Sequence, residues 1–423
     1  MSKSLILPQI SNNFIKDILM NKFSYSLITL ACFSTLTNAA DEFFSQTKLS
    51  LDSRLRYEWV EQDNKLNHAD AWTLRLRPAI QTGSWHGLSA FVQGEGTVEI
   101  NDEFNSTRND QTNYSTVPDA KNLQLNQAYL KYVYNPKFDI TVGRQVINLD
   151  NQRFVGSVAW RQNDQTFDAI ALNIKPCNEF GLYYAYIDQV NTIFGSEDPE
   201  PKFVQAQDGK QESKIHLIQA KVNYNPLLNA TVYGYLMDFE DISAWSNQTY
   251  GLRLTGKKDN FKYAAEYAKQ SEYADQPKDY DADYYALELG YSIKNKEVAL
   301  GEIAIGYEVL GSDDGKIAFQ TPLATKHKFN GWTDLFLATP ANGLTDLYIS
   351  SSFNVFGRGK LGTELHQYRS DEKNMDYGQE YSVSYSQALP IKGLSALAKF
   401  SDNQAEEFGV DTQKLWLQLD YKY

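Results

Sequence analysis

Cysteine is scarce in this chain of 423 residues: Cys32 and Cys177 are too few for a disulfide scaffold. Long apolar runs are missing too. With 22% charged residues and a mean hydropathy of −0.49, no stretch nears the roughly 18 to 20 apolar residues that a spanning helix needs, which excludes a helical membrane protein. A basic surplus is absent. The net charge of −13 and pI near 5 argue against a nucleic-acid binder, although they leave the sign of any one surface open. Catalytic punctuation is lacking as well: there is no G-x-S-x-G elbow, and His68, His86, His216, His327 and His366 form no metal-ligand spacing. What the chain has in quantity is aromatic, with 22 Phe, 28 Tyr and 7 Trp.

The N-terminus gives a compartment. Lys22 follows Met20, a short apolar stretch runs from Leu27 to Phe33, and Thr37-Asn38-Ala39 forms a small-residue cleavage site. That pattern predicts a secretory signal cut after Ala39. The residues from Met1 to Leu19 stand outside it as an upstream extension, with Met20 a second candidate start. Acylation at Cys32 is the weaker alternative, because Thr29-Leu30-Ala31 is a poor lipidation signal. Residues 1–39 are thus set apart, and 40–423 read as a single domain with no boundary and no room for an N-terminal plug.

From Leu49 onward the dominant signal is a period of two. Leu49, Leu51, Leu55, Tyr57 and Trp59 fall on one face, and Ser50, Asp52, Arg54, Arg56 and Glu58 on the other. Trp72, Leu74, Leu76 and Ile80 alternate in the same way with Thr73, Arg75, Arg77 and Gln81. The pattern recurs to the C-terminus and gives 18 candidate strands. Their connections are tight after even-numbered strands and mostly longer and polar after odd-numbered ones, as at 101–122, 190–212 and 311–343. Short turns at one end and long loops at the other predict an all-β transmembrane antiparallel barrel, with periplasmic turns and extracellular loops. Leu415, Leu417, Leu419, Tyr421 and Tyr423 alternate to an aromatic end that resembles the C-terminal signal read by the barrel-assembly machinery.

A barrel of about 18 strands encloses water, so inward charges stay hydrated. Arg54, Arg56, Arg75 and Arg77 put four guanidinium groups on adjoining lumen positions, and Arg253, Lys131 and Lys221 share inward parity. Glu266, Glu288, Glu308 and Glu364 point inward from later strands, opposite the basic wall. One reading is a transverse field that orients anionic solutes; the other is that Asp52, Glu58, Glu95 and Glu99 neutralise the arginines in structural ladders.

Val142-Gly143-Arg144-Gln145, Trp160-Arg161-Gln162-Asn163 and Gln165-Thr166-Phe167-Asp168-Ala169 resemble the alginate export family of outer-membrane proteins. Ala318-Phe319-Gln320-Thr321-Pro322-Leu323-Ala324-Thr325 and Phe329-Asn330-Gly331-Trp332 strengthen the likeness, which covers essentially the whole mature chain. The resemblance implies an 18-stranded barrel whose arginine-rich lumen passes an anionic polysaccharide. It also implies basic pore residues at Arg75, Arg77, Arg144 and Arg161, with Arg144 needing a bulge near Gly143 to face inward. The typical exporter of the family has a long periplasmic loop, whereas every predicted periplasmic turn here is short.

The sequence reading is therefore a channel of the Gram-negative outer membrane that contacts lipid and passes an anionic polysaccharide or a small anionic solute. A general or sugar/organic-anion uptake porin is the alternative. Periplasmic export partners belong to the first case only. No catalytic residue, metal or cofactor is expected, and a barrel enzyme or a blocked-lumen adhesin are the rivals from other classes. The segment from Gly311 to Gly343, with Phe319, Phe329 and Trp332, is too apolar for a solvated loop and is expected either to fold inward as a constriction or to cap the rim.

Overall fold

The computed structural model describes residues 40–195, 209–296 and 298–423. The expected signal peptide and upstream extension lie outside the described residues, as does 196–208 in the loop expected between Val190 and Glu212. A short helix, α1 (Ala40–Ser45), precedes the strands. The first nine are β1 (Lys48–Gln62), β2 (Ala69–Gln81), β3 (Leu88–Glu99), β4 (Asn122–Asn135), β5 (Phe138–Gln145), β6 (Thr166–Ile174), β7 (Phe180–Asn191), β8 (Lys210–Asn225) and β9 (Leu228–Phe239). There follow β10 (Asn247–Lys258), β11 (Phe261–Ser271), β12 (Asp281–Asn295), β13 (Val298–Leu310) and a small hairpin of β14 (Ser312–Asp313) and β15 (Ile317–Ala318). The chain ends with β16 (Leu344–Val355), β17 (Gly359–Arg369), β18 (Asp376–Ala388), β19 (Leu394–Ala405) and β20 (Thr412–Lys422).

Apart from the hairpin, these strands form one 18-stranded antiparallel sheet in which each pairs with its neighbours in the chain. Pairing of β1 with β20, from Asp52↔Lys422 to Gln62↔Thr412, closes it into a barrel. Closure leaves no strand edge unpaired, the condition for placing backbone polar groups in hydrocarbon. No helix among the described residues is long and apolar enough to cross a membrane.

Alternation places apolar groups on the lipid side. On β11 to β13, Leu287, Leu289, Ile303 and Ile305 form an exposed band. Phe261, Tyr263 and Tyr291 lie toward the short-turn end, with Tyr267 and Tyr285 toward the loop end, as aromatic girdles at the two membrane surfaces. Ile305 pairs with Leu289 and Ile349 inside this band. Substituting Ile305→Arg is expected to cost about 2–4 kcal/mol, against little change for Ser350→Arg on the lumen side. Urea unfolding in liposomes checks this; equal effects would contradict the assigned parity.

Candidate functional site: a lumen crossed by two loops

Two connections at the loop end turn into the barrel. Residues 146–165 link β5 to β6, and residues 311–343 link β13 to β16. They meet where Val155 bridges Leu323 in parallel and Gly156 N donates to Leu323 O at 2.9 Å. A Cβ on Gly156 would lie 2.2 Å from Thr325 Oγ1, so only glycine permits this approach. On one side Phe154 and Phe319 join Tyr233, Tyr235 and Tyr284 in an apolar cluster.

Polar contacts tie the two loops to the wall around much of its circumference. Asp150 accepts Lys221 of β8 at 2.7 Å, and the Gln320 carbonyl accepts Gln270 of β11 at 2.9 Å. Arg153 donates two bonds to Glu308 of β13 at 2.7 and 3.1 Å, and Asn330 donates to Asp346 of β16 at 3.1 Å. Glu380 of β18 accepts the amides of Trp332 and Thr333. Gly331, with φ +87°, makes that contact possible, because a Cβ there would lie 2.3 Å from the Glu380 carboxylate.

The β1 to β3 wall is covered by the first loop. Arg54 donates through Nε to Asp420 at 2.9 Å and through Nη1 to the carbonyls of Ala159 and Trp160 at 3.1 and 3.0 Å. Arg56 is fully buried beneath the Trp160 ring, 4.2 Å from its centroid, and bonds Gln418, Asp119 and the Trp160 carbonyl. Arg77 meets Glu95 and Asp164 at 2.5 and 2.7 Å and donates to the Gln162 carbonyl. Arg75 pairs with Asp52 alone, leaving its Nε and Nη1 without partners.

At the β19–β20–β1 wall both loops enter one ionic node. Lys399 Nζ donates to His327 Nε2 at 2.8 Å, so His327 Nδ1 carries the proton and donates to Asp334 at 2.8 Å. The other Asp334 oxygen accepts Arg161 at 2.8 Å and Lys414 at 3.2 Å, while Arg161 also reaches Glu58 at 3.0 Å. Burial alone would raise the Asp334 carboxyl, but His327, Lys414 and Arg161 together hold it well below the usual carboxylate range. The Trp160 ring stacks on His327 with centroids 4.3 Å apart and planes 4° from parallel.

Against β10 to β17 the lumen keeps a cavity of about 320 Å³, bordered by Arg253, Lys328, Glu288, Glu364, His366 and Phe329. His366 is no lone base: Asp346 holds its Nδ1 at 2.9 Å.

The alginate export family model matches residues 42–314, well over half of the sequence. The chain belongs to the alginate export family. Solved structures of similar fold include Pseudomonas aeruginosa OccK3 (OpdO), at 14% identity and TM-score 0.66 over 91% of this chain and 97% of that one. P. aeruginosa OpdK with vanillate gives 13% and 0.68 over 90% and 99%, and Acinetobacter baumannii OccAB4 gives 15% and 0.68 over 89% and 98%. No curated protein matches the sequence. Family and fold place this family member among the porins of the Gram-negative outer membrane.

Within this family member the residues singled out by sequence divide sharply. Arg54, Arg56, Arg75, Arg77 and Arg161 all lie inside the barrel, brought together by β1, β2 and the first loop. Arg253 faces inward but is paired with Glu266, and Lys131 with Asp139 at 3.3 Å. The neutralising reading holds for Asp52 and Glu95, which meet Arg75 and Arg77, whereas Glu58 meets Arg161 of the first loop. Glu99 departs from it, binding Asn109 and the Lys121 amide instead.

Arg144 must be corrected. No bulge turns it inward: the β4–β5 register runs unbroken from Thr141 to Arg144. It keeps the outward parity of Val142 and pairs at the outer rim with Asp168 at 2.7 Å.

The segment from Gly311 to Gly343 enters the lumen instead of capping the rim. Phe319 is fully buried, Phe329 stands 4.9 Å from the Arg153 guanidinium, and Trp332 covers the Lys399 ammonium at 3.6 Å. Sequence reasoning did not single out Arg153, Asp119, Asp334, Glu380, Lys399 or Lys414 for these roles. Lumen parity on β18 to β20 could have flagged the last three, but the loop residues carry no periodic signal.

Proposed function

We propose that this porin passes small organic anions one at a time and does not thread a polymer. The observation that carries the reading is the pair of loops bonded to each other and to strands from β1 to β20, which stand in the lumen that a chain of sugars would have to thread. Short periplasmic turns agree with it, since Pro226 and Leu227 alone join β8 to β9. The sign of the preferred charge follows from unused donors. Among the described residues Arg54 Nη2 has no partner, while the two unbonded Arg75 nitrogens are buried and add charge to that wall without touching a solute. A planar guanidinium fork suits a carboxylate. Glu288 and Glu364 stand on the opposite wall, so a solute with one carboxylate and a neutral body would be oriented across the lumen. OpdK, of like fold, was solved with vanillate, a monocarboxylate of that kind.

Reversal potentials in a planar bilayer under a salt gradient test the charge preference. Anion selectivity is expected for the native protein, and Arg54→Gln with Arg75→Gln is expected to move the potential toward zero. An unchanged potential would remove the arginines from the path. Polysaccharide passage is the second reading, favoured by the family match. Liposome swelling with a uronic acid monomer but not with alginate oligomers supports the small-solute reading, and equal swelling overturns it.

A further inference from the structure

We infer that His327 is a pH-operated latch that fastens the two lumen loops to the β19–β20–β1 wall. The geometry requires a neutral imidazole. Its Nε2 accepts the Lys399 ammonium while its Nδ1–H is given to Asp334, so both nitrogens are committed in the uncharged form. A second proton on Nε2 would set a cation against Lys399 Nζ, at a separation now 2.8 Å.

The charges around the ring all bear on this step. Asp334 lies in the same loop as His327, Arg161 comes from the first loop, Lys399 and Lys414 come from β19 and β20, and Glu58 of β1 and Asp119 flank Arg161. Arg56 lies against the Trp160 ring, and Glu380 of β18 grips the neighbouring Trp332 and Thr333 amides. Glu364 of β17 also faces Lys399. Protonation turns His327 and Asp334 into an ion pair internal to one loop. It repels Lys399 and leaves less of the Asp334 charge for Lys414 and Arg161, so contacts to the wall weaken together. The opposite side, where Phe154 and Phe319 pack with Tyr233 and Tyr284, has no titrating anchor among those rings near neutral pH and serves as the hinge.

The direction with pH follows from linkage. Burial, then the nearby Lys399 and Arg161 cations, push the imidazole well below its ordinary value, with Asp334 opposing. A released and hydrated His327 titrates near pH 6.5. The latched state is therefore at full strength above about 6.5 and weakens as pH falls below it, by close to tenfold in the latch equilibrium per pH unit until the latched imidazole itself takes a proton.

Single-channel recording of the reconstituted barrel from pH 7.5 to 5 tests the latch. The open fraction is expected to stay low above about 6.5 and to climb by up to roughly tenfold per unit below it. His327→Gln keeps an acceptor for Lys399 without a titrating group, and its record is expected to be flat. Lys399→Gln keeps a donor without the ammonium, and its midpoint is expected to rise toward about 6.5. A flat native record overturns the latch, as does a native-like step in His327→Gln. An unmoved midpoint in Lys399→Gln does so too, and that variant decides the matter if His327→Gln fails to assemble.

Discussion

Replacing Arg153 with alanine is expected to raise single-channel conductance several-fold and to admit neutral polymers that the native channel excludes. Arg153 is 3% exposed and is the cation that satisfies Glu308 in a bidentate bond, while Asn330 bonds both Arg153 and Glu308. Tyr284 donates to the same carboxylate at 2.6 Å. Removing the guanidinium leaves Glu308 buried beside Asp346 without its counter-charge, a loss of about 3–5 kcal/mol in comparable pairs. The barrel wall, paired along every strand, can absorb that loss. The loops are held less securely, because Arg153 ties the first loop directly to Glu308 of the wall and, with it, the second loop's Asn330. Replacing both partners, as Arg153→Met with Glu308→Met, removes the stranded charge and is expected to recover most of the native conductance. Native conductance and native polymer exclusion in Arg153→Ala would assign the loop position to the apolar cluster alone.

Trp160→Ala is expected to increase anion selectivity as well as conductance. The indole lies over Arg56, stacks on His327 and meets Trp416 edge-on with centroids 5.7 Å apart. It is the lid that keeps the Arg56 guanidinium from water. Truncating a buried aromatic of this size costs about 3–5 kcal/mol locally and opens space that water enters. A hydrated Arg56 then adds its field to that of Arg54 on the same strand, and the reversal potential shifts further toward that of the anion. Trp160→Phe retains a ring and is expected to change little. Higher conductance with unchanged selectivity would mean that Asp119 fully cancels Arg56. Arg77→Glu, attractive from sequence alone, is a poor test of selectivity, because it would place three carboxylates together with Glu95 and Asp164.

The wall was legible because a membrane strand obeys a local rule. Leu55, Tyr57 and Trp59 alternate with Arg54, Arg56 and Glu58 since one face meets lipid and the other water, and that rule needs only neighbouring residues. Arg144 shows its limit. Gly143 takes a positive φ of 120° yet the pairing continues, so a glycine that could have marked a bulge did not, and the side chain stayed outside. The site was legible only in part. Arg54, Arg56, Arg75, Arg77 and Arg161 lie inside the barrel, but their accessibility depends on Trp160 and Gln162, whose loop has no period to read.

Strand number, turn polarity, facing of the wall residues and the family likeness were all written in the sequence, because each depends on contacts between residues close in the chain or on a repeated pattern. The path of the loops was decided by tertiary structure alone. Arg161 and Asp334 are 173 residues apart, and Arg153 and Asn330 are 177 apart. No local preference selects such partners. They are fixed by closure of the barrel, which brings distant strands to one lumen and makes each buried charge find whichever opposite charge the fold has placed within reach.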